Sequence, residues 1–153
     1  MFTAPGLEFV MEARVSVGAA QDVGRVPAGE RRIIPITGGT FEGPRLHGRV
    51  VPGGADWQII RADDTVELDA RYTLETESGG LIYVWNRAIR HGSPEVLRKL
   101  REGIPVYKSE YYFRSTPVFE TAIPELRWMN RTVFIGDGER FSDCVAIRFW
   151  RVL

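Results

Sequence analysis

The chain reads as an all-β antiparallel protein, and among such folds as an up-and-down barrel in preference to a sandwich. Three observations predict this. About nine apolar or alternating runs recur between clusters of Gly, Pro, Asp and Asn, the pattern of antiparallel strands joined by turns. Only one segment has the grammar of a helix, so no strand-helix-strand alternation supports a parallel sheet. Strands of up to about ten residues that follow one another through hairpins can close and leave no exposed edge.

From the N-terminus, Leu7 to Val17 alternates Leu7, Phe9, Met11, Ala13, Val15 and Val17 against Glu8, Glu12, Arg14 and Ser16, a half-buried strand. Arg32 to Thr37 follows the Pro-Ala-Gly-Glu turn at 27–30, and Gly38-Gly39 marks a bend before Phe41. Arg45 to Val51 is a strand that Pro52-Gly53-Gly54 should end. Trp57 to Arg61, Glu67 to Thr76 and Leu81 to Arg87 form a meander, with hairpin-length turns at Asp63-Asp64 and Ser78-Gly79-Gly80.

Ser93-Pro94-Glu95 then opens a short α-helix over about 93–102: Ser as N-cap, Pro at the first position, Glu in the first turn. Val96, Leu97 and Leu100 share a face, and Gly103 can terminate the helix. Strands resume at Glu110 to Thr116, Val118 to Ala122, Leu126 to Ile135 and Val145 to Val152, with Gly136-Asp137-Gly138 as the turn between the last two.

A chain of 153 residues suits one domain over 1–153, and no linker or composition break divides it. Twenty basic and twenty acidic side chains leave no surplus to displace counterions from phosphates, so no nucleic-acid partner is expected. Neither a signal peptide nor a membrane span is read near the N-terminus, which makes the cytoplasm the expected location and gives no membrane partner. Cys144 is the only cysteine and reads as a small core filler. His47 and His91 lie outside any metal-ligand spacing, so neither a metal nor another cofactor is expected. The glycine pairs at 38–39, 53–54 and 79–80 lead into strands rather than helices, which makes them turns and not phosphate cradles. The basic stretch Arg87, Arg90, His91, Arg98, Lys99, Arg101, interleaved with Glu95 and Glu102, reads as a solvated face.

Several blocks carry a resemblance. Ile36-Thr37-Gly38-Gly39-Thr40-Phe41-Glu42-Gly43, Pro52-Gly53-Gly54-Ala55-Asp56-Trp57, Leu68-Asp69-Ala70-Arg71-Tyr72-Thr73-Leu74, Tyr111-Tyr112-Phe113-Arg114, Phe119-Glu120-Thr121 and Trp128-Met129-Asn130 stand in this order along nearly the whole chain. Together they resemble the UPF0311, or DUF3237, family of uncharacterised bacterial proteins. The resemblance implies a single-domain, lipocalin-like antiparallel β-barrel, cytoplasmic and self-associating as a homo-oligomer, with no assigned activity. Ala88, Lys108 and Met129 stand where the family often has glycine, proline and leucine.

Parity then nominates a site. Glu67, Asp69, Arg71 and Thr73 share one face of a strand; Tyr112 and Arg114 share another, as do Trp128 and Asn130. Asp56 stands beside Trp57 at a strand entrance. Convergence of these faces would form a pocket with Trp57, Asp69, Arg71, Arg114, Trp128 and Asn130 as ligand-binding residues and Asp56, Tyr112 and Glu120 as catalytic ones. Such a pocket suits a small oxygenated, partly apolar or aromatic ligand, bound without chemistry. The alternative is a cofactor-independent isomerase, lyase or cyclase, with Asp56 or Glu120 as base, Tyr112 as acid and Arg71 or Arg114 steadying an oxyanion. Against both stands a plainer arrangement: an exposed Asp69–Arg71 ion pair on the outside of the sheet, contributing about 0–1 kcal/mol.

Overall fold

The computed structural model describes residues 1–153. Its strands are β1 (Leu7–Val17), β2 (Gln21–Val26), β3 (Gly29–Glu42), β4 (His47–Ile60), β5 (Val66–Thr76), β6 (Leu81–Gly92), β7 (Tyr111–Thr121), β8 (Phe134–Arg140) and β9 (Cys144–Val152), with one α-helix, α1 (Pro94–Arg101). Every pairing is antiparallel, in the sheet order β1-β9-β8-β7-β6-β5-β4-β3-β2. A further pairing of β1 with β3, from Glu12↔Glu42 to Val17↔Ile36, closes eight of these strands into a barrel and leaves β2 as a flap on β3. No helix is long and apolar enough to cross a membrane.

Three expected breaks are not breaks. Strand β4 runs through Pro52-Gly53-Gly54 by slipping register between Val51 and Ala55, a bulge that bends the strand and keeps the pairing with β5. Strand β3 likewise passes Gly38-Gly39 with a slip between Pro35 and Thr40. Gly39 has φ 125°, and a Cβ there would lie 2.0 Å from the Arg14 carbonyl oxygen, so glycine is what lets β1 approach and close the barrel. Strand β7 continues through Pro117 because its pairing with β8 is confined to Arg114↔Asp137 and Ser115↔Gly136; beyond that point it has β6 alone as neighbour.

The expected strand Leu126 to Ile135 is mostly a 3-10 helix, Pro124–Arg131. A period of three puts Leu126 and Met129 on the same buried face. Gly136-Asp137-Gly138 lies inside β8 rather than in a turn. Both glycines make room for the neighbouring strand: a Cβ at Gly136 would sit 2.1 Å from Ser115 Oγ, and one at Gly138 2.8 Å from the Phe113 ring. The polar strand β2, interrupted by Gly24, has no apolar alternation and was not expected. Helix α1 begins as its sequence predicts, with Ser93 Oγ accepting from the Val96 N–H at 3.2 Å.

The barrel interior holds two apolar clusters. The larger contains Met11, Phe41, Leu74, Ile82, Phe119 and Phe149, and Leu126 and Met129 of the 3-10 helix seal it. The smaller gathers Ile60, Val66, Leu68, Ala88 and Phe113 beneath Leu97 and Leu100 of α1. Along β5 and β6 these clusters occupy opposite ends, and residues of both line the space between them.

A polar cavity inside the barrel

Pleating decides what enters that space. Asp56 and Gln58 are two apart on β4 and point inward, as do Leu68, Ala70 and Tyr72 on β5 and Asn86, Ala88 and Arg90 on β6. The register sets Ile34, Asp56, Ala70 and Asn86 side by side across four strands. Alanine at 70 and 88 is what keeps this row hollow, since a larger aliphatic side chain at either position would project into it. The cavity measures about 60 Å³ in space open to water centres, room for roughly five waters or a small organic molecule. Val15, Val17, Ile34, Ile36, Val145 and Ile147 supply apolar wall, while Leu100 and Arg101 of α1 stand at the other side.

Asp56 is the acid of the cavity. Its Oδ2 accepts from Gln58 Nε2 at 2.8 Å and its Oδ1 from the Asp69 backbone N–H at 3.0 Å. Burial pushes its pKa above the ordinary carboxyl value, and prevails over the opposing pull of the Gln58 hydrogen bond, the Arg90 charge and the Asp69 amide. Half a turn of the Gln58 amide would present its unpartnered Oε1 to a protonated Oδ2, so this contact serves both states of Asp56. Arg90 is the base of the same cavity, 5% exposed, with its guanidinium 5.5 Å from the centroid of the Phe113 ring. Burial pulls its pKa down to about 10, against the attraction of Asp56. Burial also raises the Tyr72 phenol, and the nearby Asp56 charge adds to that.

Seven buried side-chain polar atoms in the protein have no hydrogen-bond partner, and five of them line this cavity: Gln58 Oε1, Tyr72 OH, Asn86 Oδ1, and Arg90 Nε and Nη1. Left dry, five such atoms would cost on the order of 5–15 kcal/mol, as much as the net stability of a whole domain. The cavity is therefore built for a polar guest, be it water or the oxygens of a ligand.

Of the residues nominated from sequence, Asp56 is the one inside. Apart from Trp128, which packs on the inner apolar cluster, the others stand outside the barrel: in β5 the inward parity is the apolar one, Leu68, Ala70 and Tyr72, and Asp69 and Arg71 face out. Asp69 accepts from Trp85 Nε1 at 2.8 Å, and Arg71 lies 3.5 Å from Asp69 and 4.8 Å from the centroid of the Trp85 ring. Trp57, Asp69, Tyr112 and Arg114 do meet, but in an open outer depression across β4 to β7. Glu120 and Asn130 share a second outer recess, where Asn130 bridges the backbone of Thr121 in both directions, at 2.8 and 2.9 Å. Trp128 packs against Phe134 and beneath Arg151. The outer depression is the more spacious and open to water; Arg114 is paired there with Asp137 at 2.7 Å and Asp69 with Arg71 at 3.5 Å, while Arg31, Glu67 and Arg87 take part in no ion pair and face solvent. Most of the buried hydrogen-bonding capacity that goes unmet is inside: Ser115 Oγ is the one such atom on a residue of the outer depression, against five in the cavity.

The sequence does not single out Gln58, Tyr72 and Asn86, and of the basic stretch read as a solvated face Arg101 is exposed as expected whereas Arg90 is buried. One signal was present in β6. Its inward register runs Ile82, Val84, Asn86, Ala88, Arg90, so an amide and a guanidinium interrupt an otherwise apolar parity.

The comparisons agree with this architecture. The model of a protein family of unknown function, DUF3237, matches residues 5–152. A UPF0311 protein of Rhodopseudomonas palustris is 42% identical over 151 residues, 97% of this chain and 99% of the relative. A crystal structure from the same organism, described as a conserved protein of unknown function, superposes with TM-score 0.95 at 39% identity, covering 99% of this chain and 100% of that one. A β-barrel-like protein of Acinetobacter baumannii gives TM-score 0.84, also at 39% identity and with full coverage of both chains. More distantly, a hydroalkoxylation enzyme of Penicillium herquei, phnH, is 25% identical over 150 residues, 98% of this chain and 85% of that protein. With identity near 40% sustained from end to end, and a barrel that superposes just as completely, this chain belongs to the UPF0311 (DUF3237) family.

Proposed function

We propose that the chain is an enzyme that moves a proton within its barrel cavity, with Asp56 as the acid–base group and a small oxygenated, partly apolar molecule as substrate. One observation carries the reading: a buried carboxyl of raised proton affinity, held at both oxygens, in a cavity where Tyr72, Asn86 and Arg90 offer unpartnered polar atoms. A carboxyl whose pKa is raised towards working pH is suited to give and take protons. Arg90 faces the charge that Asp56 acquires on giving its proton up, and the apolar walls hold the carbon part of the substrate.

This arrangement suits isomerisation, elimination or ring closure. The distant relative phnH bears the name of a hydroalkoxylation enzyme, and hydroalkoxylation adds O–H across a carbon–carbon double bond. In such a step neutral Asp56 delivers its proton to one alkene carbon, the substrate hydroxyl oxygen bonds to the other, and the hydroxyl proton returns to Asp56. Atoms and charge balance and the enzyme is regenerated.

The test is exchange in heavy water with a panel of small unsaturated alcohols and phenols, such as 4-penten-1-ol and 2-allylphenol, followed by NMR. The native protein should cyclise, isomerise or deuterate at least one of them at carbon, and Asp56→Asn should not, while still binding it. If the native protein binds the panel by thermal shift but exchanges no C–H, or if Asp56→Asn turns over at the native rate, the barrel is a binding protein in which Asp56 carries no chemistry.

A further inference from the structure

We propose that the ligand of this barrel is a small organic carboxylate, its anionic end held among Arg32, Arg90, Arg101 and Arg140. The inference rests on the cavity being a ligand site, but not on proton transfer by Asp56.

Four arginines, on β3, β6, α1 and β8, line one cavity whose only carboxylic acid is Asp56: Arg90 is buried, Arg32 and Arg140 are half-buried, and Arg101 is exposed at its edge. Elsewhere eight arginines stand against acids, Arg49 against Glu75, Arg114 against Asp137 and Arg148 against Glu12 among them, and of those without an ion pair Arg25, Arg45 and Arg131 are exposed. None of the four cavity arginines takes part in an ion pair. Arg90 is nine-tenths buried, with donors on more than one edge of its guanidinium plane unpartnered. Arg140 feels desolvation first and then the like charge of Arg32, and Arg90 in turn feels both.

Gathering like charges in a half-dry space costs a fold stability unless something of opposite sign completes them. Asp56 is a poor candidate for that role, since burial favours its neutral form. A guest anion supplies the missing charge. The planar fork of a guanidinium matches a carboxylate, and the aliphatic wall of Val17, Ile34, Leu68 and Ile147 gives its carbon skeleton a place away from water.

The experiment compares matched pairs, benzoate with benzamide and butyrate with butyramide, by thermal shift and titration calorimetry on the native protein and on Arg32→Gln and Arg140→Gln. Arg140 also donates to the backbone carbonyls of Phe141 and Cys144, so Arg32→Gln is the variant less exposed to a folding defect. Carboxylates should bind at least about tenfold more tightly than their amides, and Arg32→Gln should erase about tenfold of that preference while leaving amide affinity unchanged. Added salt should weaken the carboxylates alone. Equal binding of acid and amide overturns the anion assignment and leaves the cavity reading standing. Inorganic phosphate binding as tightly as benzoate overturns the choice of carboxylate. Binding of neither member of any pair overturns the anion and the ligand site together.

Discussion

Replacing Arg90 with methionine should make the unliganded protein more stable. The guanidinium is 5% exposed, and neither Nε nor Nη1 finds a hydrogen-bond acceptor. Holding an ion in such a place costs several kcal/mol after relaxation. The Phe113 ring returns about 0.5–2 kcal/mol as a cation–π contact, and attraction to Asp56 returns more only if Asp56 is charged. Methionine matches the length of the arginine stem and packs against Phe113 without a charge to desolvate. Removing one member of a buried ion pair is ordinarily harmful, because the survivor stays charged and alone. Here the survivor is a carboxyl already biased towards its neutral form, which escapes that penalty by keeping its proton.

The balance is about 1–4 kcal/mol in favour of Arg90→Met, the range found when buried ionic groups give way to apolar ones of similar volume. For a chain of this length 1 kcal/mol moves Tm by about 2–4 °C, so calorimetry at pH 7 should show a rise of about 2–16 °C. Guanidinium unfolding should give a higher midpoint with an unchanged slope. The same variant should lose carboxylate binding, so stability and function move in opposite directions. A fall in Tm of more than about 3 °C would refute the reasoning: Asp56 would then be ionised in the folded protein, and its attraction to Arg90 would serve stability instead of a ligand.

Other perturbations test neighbouring parts of the argument. Because the folded pKa of Asp56 lies above its unfolded value, its contribution is most favourable below about pH 4 and is lost as pH rises towards the folded pKa; the stability of Asp56→Asn relative to the native protein, measured by urea unfolding from pH 4 to 8, should therefore grow with pH, and a constant difference would mean that the carboxyl titrates normally. Ser93→Ala removes the cap of α1 and should cost that helix about 1 kcal/mol, read as faster hydrogen exchange confined to its amides and faster ligand entry. Gly39→Ala forces a side chain into a φ of 125° and into the Arg14 carbonyl, and should destabilise the barrel by at least about 2 kcal/mol in chemical denaturation.

The barrel was legible from sequence because closure needs only strands of matched length, hairpin turns and a two-residue period, all written locally. Helix α1 was legible for the same reason, its cap, proline and apolar face lying within ten residues. Bulges were not. Pro52-Gly53-Gly54 and Gly38-Gly39 carry the composition of turns, and what keeps those strands paired is a neighbour contributed by distant sequence, Arg71 to Thr73 in one case and Arg14 to Ser16 in the other. The 3-10 helix at Pro124–Arg131 was hidden because one pair three apart, Leu126 and Met129, is too little to establish a helical period until the core they seal is known.

The faces nominated from sequence and the cavity of the proposed function differ for a reason with wider use. The alternation of Glu67 to Thr76 draws the eye to its charged face, and in a barrel filled by apolar side chains that face belongs to water. A functional cavity in such a barrel announces itself on the opposite parity, where a polar residue stands in an apolar series and is costly unless a guest completes it. Asn86 and Arg90 interrupt the Ile82, Val84, Ala88 series; Gln58 and Asp56 do so beside Ile60; Tyr72 carries its hydroxyl into the Leu68, Ala70, Leu74 face. Three adjacent strands thus break their own apolar register around one cavity: Asp56 is level with Asn86, and Tyr72, Gln58 and Arg90 stand at nearby inward positions on either side. Each break alone could be a tolerated defect, but all of them border one cavity, and that concentration is what supports reading it as the proposed ligand site instead of scattered imperfections of packing.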